Sequence, residues 1–174
     1  GDGPKMTGIT AASQLLEEEN LWKKTLVENT ISAFESYLKT TKSGTYNGEA
    51  EARISDLQLL EQEEELFKNI QGTPNISSIR SYLSTSSFIR YRNEVEEILK
   101  ELDAADEILW KEAEKQNTVK SYQDYLQKSK RDFYFPAART RIALLEKEGN
   151  ATRINEAKLI FVGNGRVGKT SLSK

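Results

Sequence analysis

The residues best suited to chemistry stand at the end of the chain, in Gly163-Asn164-Gly165-Arg166-Val167-Gly168-Lys169-Thr170-Ser171. The spacing is G-x-x-x-x-G-K-T. It follows a short apolar run, Leu159-Ile160-Phe161-Val162, which predicts a buried strand. A strand, a glycine-rich turn and a helix start together form the setting of a phosphate-binding loop. Glycines let the backbone approach an anion closely, and loop N–H groups with a helix N-terminus make an anion nest. In that reading Gly163 through Ser171 hold the phosphates. Lys169 neutralises the β- and γ-phosphates, and the Thr170 hydroxyl ligates Mg²⁺. Asn164-Gly165 alone also fits a type I′ hairpin turn, but that leaves Gly168-Lys169-Thr170 unexplained.

Composition narrows the other options. The 174 residues contain no cysteine, which excludes disulfides and thiolate metal sites, and no histidine, which excludes the usual general base and every Ser-His-Asp or Cys-His arrangement. Net charge is −2, so neither nucleic acid nor a membrane surface is an expected partner. No apolar run reaches the roughly 18 residues of a membrane span. The opening GDGPKMTGIT lacks the apolar stretch of a secretory signal, and Met6 is a candidate natural start. A cytoplasmic location is expected, with the Asn75 and Asn150 sequons as chance matches.

The elements in front of the loop come from a repeat of about 44 residues. Trp22, Phe67 and Trp110 share one column. Ile31, Ile76 and Val119 share the next, then Phe34, Ile79 and Tyr122. The pairs Tyr37-Leu38, Tyr82-Leu83 and Tyr125-Leu126 follow. After a polar linker come Tyr46, Tyr91 and Tyr134, then Ala50, Val95 and Ala138. Ile54, Leu99 and Ile142, and finally Leu57, Leu102 and Leu145, complete the set. The third match is slightly shorter, as a loop deletion would make it.

Each copy predicts a short helix and a long one. Ile31, Phe34, Tyr37 and Leu38 fall on one helical face. Asn29-Thr30, Thr73-Pro74-Asn75 and Asn117-Thr118 supply N-caps, with Pro74 in a first helical turn. The long helices are expected from about 11 to 28, 47 to 69 and 92 to 116, the second some 35 Å long. Gly149 is expected to end the last helix. The fold class is therefore all-α: three tandem antiparallel helical hairpins in a TPR-like array, followed by a C-terminal strand and P-loop fragment. Residues 1–10 form a flexible start, 11–149 the repeats, 150–157 a linker and 158–174 the beginning of a nucleotide-binding domain. The aromatic columns are expected in the core, and the acidic runs LEEEN and EQEEEL on solvated faces.

Glu156 to Leu172, EAKLIFVGNGRVGKTSL, resembles the first strand and P-loop of Roc domains, the Ras-like GTPases of Roco proteins. The resemblance covers about a tenth of the chain. It implies that a longer parent protein binds GTP with magnesium through Gly163, Gly168, Lys169 and Thr170. The repeats are similar, more loosely, to helical W…Y-L…Y…A…R-I…L repeats of multidomain bacterial signalling proteins, which implies a scaffold.

The first expectation for function is a non-catalytic interaction or regulatory module preceding a Roc-like GTPase, its partner a protein or the adjoining GTPase domain. The second is a GTP-binding signalling enzyme, with the activity in the longer protein. A GTPase also needs a distant magnesium-binding Asp and a water-positioning group, so this chain itself is expected to hold no cofactor and no catalytic residue. The third is a structural spacer or an element that self-associates through its exposed C-terminal strand. The linkers carry Lys39, Lys42, Arg90, Lys128, Lys130 and Arg131, which would make a basic edge open to an acidic partner. Phe88, Phe133 and Phe135 lie outside the columns and are candidates for a contact patch.

Overall fold

The computed structural model describes the backbone of residues 3–172 and the side chains of residues 10–158. Among the described residues every regular element is helical: α1 (Gly3–Glu28), α2 (Ile31–Thr40), α3 (Asn47–Gly72), α4 (Ile76–Ser84), α5 (Arg92–Gln116), α6 (Val119–Lys128) and α7 (Phe135–Leu172). Long and short helices alternate, as the apolar periodicity predicts. No described helix is long and apolar enough to cross a membrane.

Two residues make each of the corners before α2 and α6. Asn29 and Asn117 adopt left-handed backbone, φ 46° and 50°, which asparagine tolerates better than most residues and which stops the long helix. The next residue starts the short one. Thr30 accepts from the N–H of Ala33, and Thr118 forms a reciprocal capping box with Ser121. Before α4 the cap is Asn75, whose side-chain oxygen accepts from the N–H of Ser78 at 2.8 Å. Pro74 thus precedes the cap instead of entering the first turn as expected. Its fixed φ shapes the approach to the helix, not the helix itself.

By backbone packing the chain divides into two units, Gly1–Thr73 with Ser81–Arg92, and Pro74–Arg80 with Asn93–Lys174. In the first unit Trp22, Phe34, Tyr37 and Ala50 form a buried cluster, flanked by Tyr46, Ile54 and Leu57. In the second, Trp110, Ala113, Tyr122, Tyr125 and Ala138 form another, flanked by Tyr134, Ile142 and Leu145. The residues that line up in the sequence columns are those that pack together. Trp22, Phe67 and Trp110 each stack flat on the tyrosine of the following linker. The centroid distances are 5.0 Å to Tyr46, 4.1 Å to Tyr91 and 4.8 Å to Tyr134, with ring planes 2° to 4° apart.

Two sequence expectations change. Phe67 follows Trp22 by 45 residues and Trp110 follows Phe67 by 43, but the shortening lies between Leu102 and Trp110, inside the unbroken helix α5 and not in a loop. The last helix does not end at Gly149. α7 passes through that residue, through the expected linker 150–157 and over the stretch where a strand is predicted, to Leu172. Gly149 permits a left-handed stop but does not impose one, and no atom of the fold crowds it. A strand needs a neighbour for its backbone groups, whereas a helix closes its hydrogen bonds within the segment.

Candidate functional site

The same polar constellation occurs three times, one residue group per aromatic cluster. Its centre is a carboxylate on the long helix, four residues before the column aromatic: Glu18 before Trp22, Glu63 before Phe67, Asp106 before Trp110. Positions i and i+4 lie on one helical face, so the carboxylate points where the aromatic ring points. Nineteen residues on, the core tyrosine of the short helix donates its hydroxyl to it. Tyr37 reaches Glu18 at 2.9 Å, Tyr82 reaches Glu63 at 2.6 Å, and Tyr125 reaches Asp106 at 2.9 Å.

The linker after the short helix completes each site. Glu18 also accepts from the Thr41 hydroxyl at 2.7 Å, from the Thr45 N–H at 3.2 Å and from the Ser43 hydroxyl. Glu63 accepts from the Arg90 N–H at 2.7 Å, while the Tyr82 hydroxyl accepts from the Tyr91 N–H at 2.9 Å. Asp106 accepts from the Ser129 hydroxyl. Each carboxylate thus fastens a linker that has no regular backbone pairing of its own to the adjacent long helix. Glu63 and Asp106 are buried, 2% and 4% exposed, and the donors gathered on them offset the cost of that burial.

Electrostatics follow the bonds. The hydroxyls of Ser43 and Thr41, foremost among the donors, hold the Glu18 carboxyl down at about 2. Burial, with the Glu63 carboxylate beside it, pushes the Tyr82 hydroxyl up to about 12. Burial raises Tyr125 to about 12 as well, with Asp106 adding to the shift. These shifts lead away from neutral pH, whereas a general acid or base works best with its pKa near the operating pH. The carboxylate–tyrosine pairs fasten the linkers to the long helices.

A second row of ion pairs runs one residue further along the long helices. Glu19 pairs with Lys23 at 3.0 Å, Glu64 with Lys68 at 2.9 Å, and Glu107 with Lys111 at 3.3 Å. Glu64 also takes the Arg90 guanidinium at 3.5 Å, and Glu107 takes the Tyr134 hydroxyl at 2.5 Å. Both carboxyls lie below the usual carboxylate range, Glu64 because of Lys68 and Glu107 because of Tyr134.

The acidic runs are thus not wholly solvated faces. LEEEN contributes Glu18 and EQEEEL contributes Glu63 to the interior bonds, because each has the helical phase of the aromatic that follows. The signal was available: an acidic residue four positions before the aromatic in all three copies. The columns Trp22, Phe67, Trp110 and Tyr37, Tyr82, Tyr125 are buried as expected, whereas Tyr46, Tyr91 and Tyr134 are half-buried. Of the three phenylalanines expected to form a patch, Phe133 is 71% exposed, Phe88 is buried and Phe135 packs against the Trp110 cluster. Of the expected basic edge, Arg90 is paired with Glu64 and Arg131 with Asp103, while Lys39, Lys42, Lys128 and Lys130 are exposed.

Gly163 through Ser171, with Lys169 and Thr170, fall within the range of α7, and their side chains lie outside the described residues. A phosphate cradle there requires free loop N–H groups and hence a different backbone from the helix found. Among the described residues no cluster of carboxylates is arranged to hold a metal ion. Compared with protein-family models, with curated proteins and with solved structures, the chain matches none.

Proposed function

We propose that the chain is a non-catalytic helical-repeat module for interaction and regulation, adjoining a Roc-like GTPase domain in a longer cytoplasmic protein. One observation carries this reading. The carboxylate, tyrosine and aromatic residues of each copy are spent on one another, while the linker side chains facing outward differ from copy to copy. A constant interior with varied surface positions is how repeat scaffolds present different contacts on one frame. The three sets of matching contacts support three units of about 44 residues in a TPR-like array. The partner is a protein surface or the adjoining GTPase.

The test is whether residues 10–149, made without the remainder, give a helical circular-dichroism spectrum and one cooperative melt, and whether they bind the GTPase domain added separately. An unfolded fragment sinks the reading. A folded fragment that leaves the GTPase alone restricts the partner to another protein.

A second reading rests on the G-x-x-x-x-G-K-T spacing: GTP and magnesium bind in the longer protein through Gly163, Asn164, Gly165, Arg166, Val167, Gly168, Lys169, Thr170 and Ser171, with Thr170 on the metal. Calorimetry with GTP and Mg²⁺, comparing the longer protein with its Lys169→Ala variant, decides it. The third, a spacer or self-associating element, predicts a concentration-dependent mass in light scattering.

A further inference from the structure

Two linker positions decide how each carboxylate site is closed from outside. The first lies six residues after the core tyrosine and is Ser43, Phe88 or Arg131. The second lies eight residues after it and is Thr45, Arg90 or Phe133. The second copy thus has an aromatic then a cation, the third a cation then an aromatic, and the first two small hydroxyl residues.

In the second copy both side chains are used. Phe88 is buried against Tyr82, ring centroids 5.4 Å apart. The Arg90 guanidinium lies 4.9 Å above the Tyr91 ring and pairs with Glu64. In the third, Arg131 pairs with Asp103 at 2.5 Å and Phe133 packs edge-on against Tyr134 at 4.9 Å. A cavity of about 230 Å³ remains between them and the acidic side of α5.

In the first copy the Ser43 hydroxyl and the Thr45 N–H bond to Glu18, and neither position carries an aromatic ring or a cation. A cavity of about 470 Å³ opens there, between α1 and the end of α2 with its linker. That volume lies in the range of roughly 300–1,000 Å³ usual for ligand clefts. Leu15 and Leu21 form its apolar wall, and Leu15 is 58% exposed. Among the described residues Glu17 and Glu18 line it with one cation, Lys42. The wall therefore suits an apolar ring, and the charge suits a positive group.

We propose that this cavity takes from a partner what the second copy supplies from its own linker: an aromatic side chain with an arginine or lysine two residues away, on an extended segment. The proposal rests on the interaction-module reading and names the chemistry of its partner. Repulsion at Glu17 and Glu18 selects against acidic segments, and the ring on Leu15 and Leu21 supplies the contact area.

The probe is a fluorescein-labelled Gly-Ser-Phe-Ile-Arg-Gly peptide, titrated into the full 174-residue chain and followed by anisotropy. Saturable binding between about 10 µM and 1 mM is expected, as befits one short segment. Replacing the peptide's phenylalanine by alanine, or its arginine by glutamate, should weaken it about tenfold. The paired change Ser43→Phe with Thr45→Arg rebuilds the second copy's cover in the first and should abolish binding. Circular dichroism shows whether that variant is folded. Glu17→Lys, a change at an exposed position, is the second arm: it should weaken the arginine peptide about three- to tenfold and favour the glutamate one. Equal binding to the covered, folded variant, indifference to Glu17→Lys, or no binding of the probe at all overturns the proposal. If the probe fails while residues 10–149 still fold and bind the GTPase domain, the interaction-module reading stands and only the cavity's role is lost.

Discussion

Around Trp22, four donors converge on Glu18: Tyr37, Thr41, Ser43 and the Thr45 N–H. Around Trp110, the shorter Asp106 takes Tyr125 and Ser129, and Arg131 turns outward to Asp103 instead. The aromatic plan is the same in both clusters, down to the flat stack on the linker tyrosine. The polar plan differs in cover: Glu18 is half-buried with small hydroxyl residues in its linker, whereas Asp106 is buried with Arg131 and Phe133 in its linker. Glu63 is a glutamate and equally buried, with Phe88 and Arg90 in its linker, so the cover follows the linker and not the length of the carboxylate side chain. What the copies share packs the aromatic clusters, and what they vary is how the linker covers them.

The comparison breaks most readily at the aromatics. Trp22→Ala and Trp110→Ala should each cost about 3–5 kcal/mol by urea denaturation, the usual range for emptying a core aromatic site. A Trp22 variant that loses far less would show that the two clusters do not bear equal weight. Next in size is Asp106→Ala, expected to cost about 1–3 kcal/mol, since it leaves the buried Tyr125 hydroxyl without its acceptor, while Ser129 still reaches the Arg131 carbonyl. Adding Tyr125→Phe should recover part of that loss, and a double-mutant cycle measures the coupling.

Acid sharpens the difference further. The Glu18 carboxyl titrates near 2 in the fold against 4.5 ordinarily, so its ionised form favours the folded state. That stabilisation is complete above about pH 5 and is lost as pH falls from there toward 2. Glu18→Gln should flatten the dependence of melting temperature on pH over that window. The smallest effect separates the linker tyrosines. Tyr134→Phe removes a bond to Glu107 and should lower the melting temperature slightly, whereas Tyr46→Phe keeps its stack on Trp22 and should leave it nearly unchanged.

Much of the helical layout was legible because it depends on local signals. Asn-Thr corners stop one helix and start the next, and apolar columns at helical spacing name the residues that pack. The carboxylates were harder. In LEEEN and EQEEEL a charged run suggests solvent on all sides, and only the phase relative to Trp22 or Phe67 singles out Glu18 and Glu63. Phe88 and Phe133 stand at different linker positions, six and eight residues after the core tyrosine, and only the first is buried. At the other end, the strand expected from Leu159-Ile160-Phe161-Val162 depends on a sheet that the segment does not contain, and the backbone of α7 is helical there. Glycine-rich turns and strands draw their stability from neighbours, so a short sequence signature does not fix their conformation.

Helix α3 belongs to two sites at once. Its first turns bring Ala50, Ile54 and Leu57 to the Trp22 cluster, and its later turns carry Glu63 and Phe67 to Tyr82 and Tyr91. A cut at a loop therefore leaves one aromatic cluster without its wall. The piece that can be excised or duplicated whole begins and ends in the middle of a helix. A domain boundary drawn at a turn therefore separates residues that pack on one another.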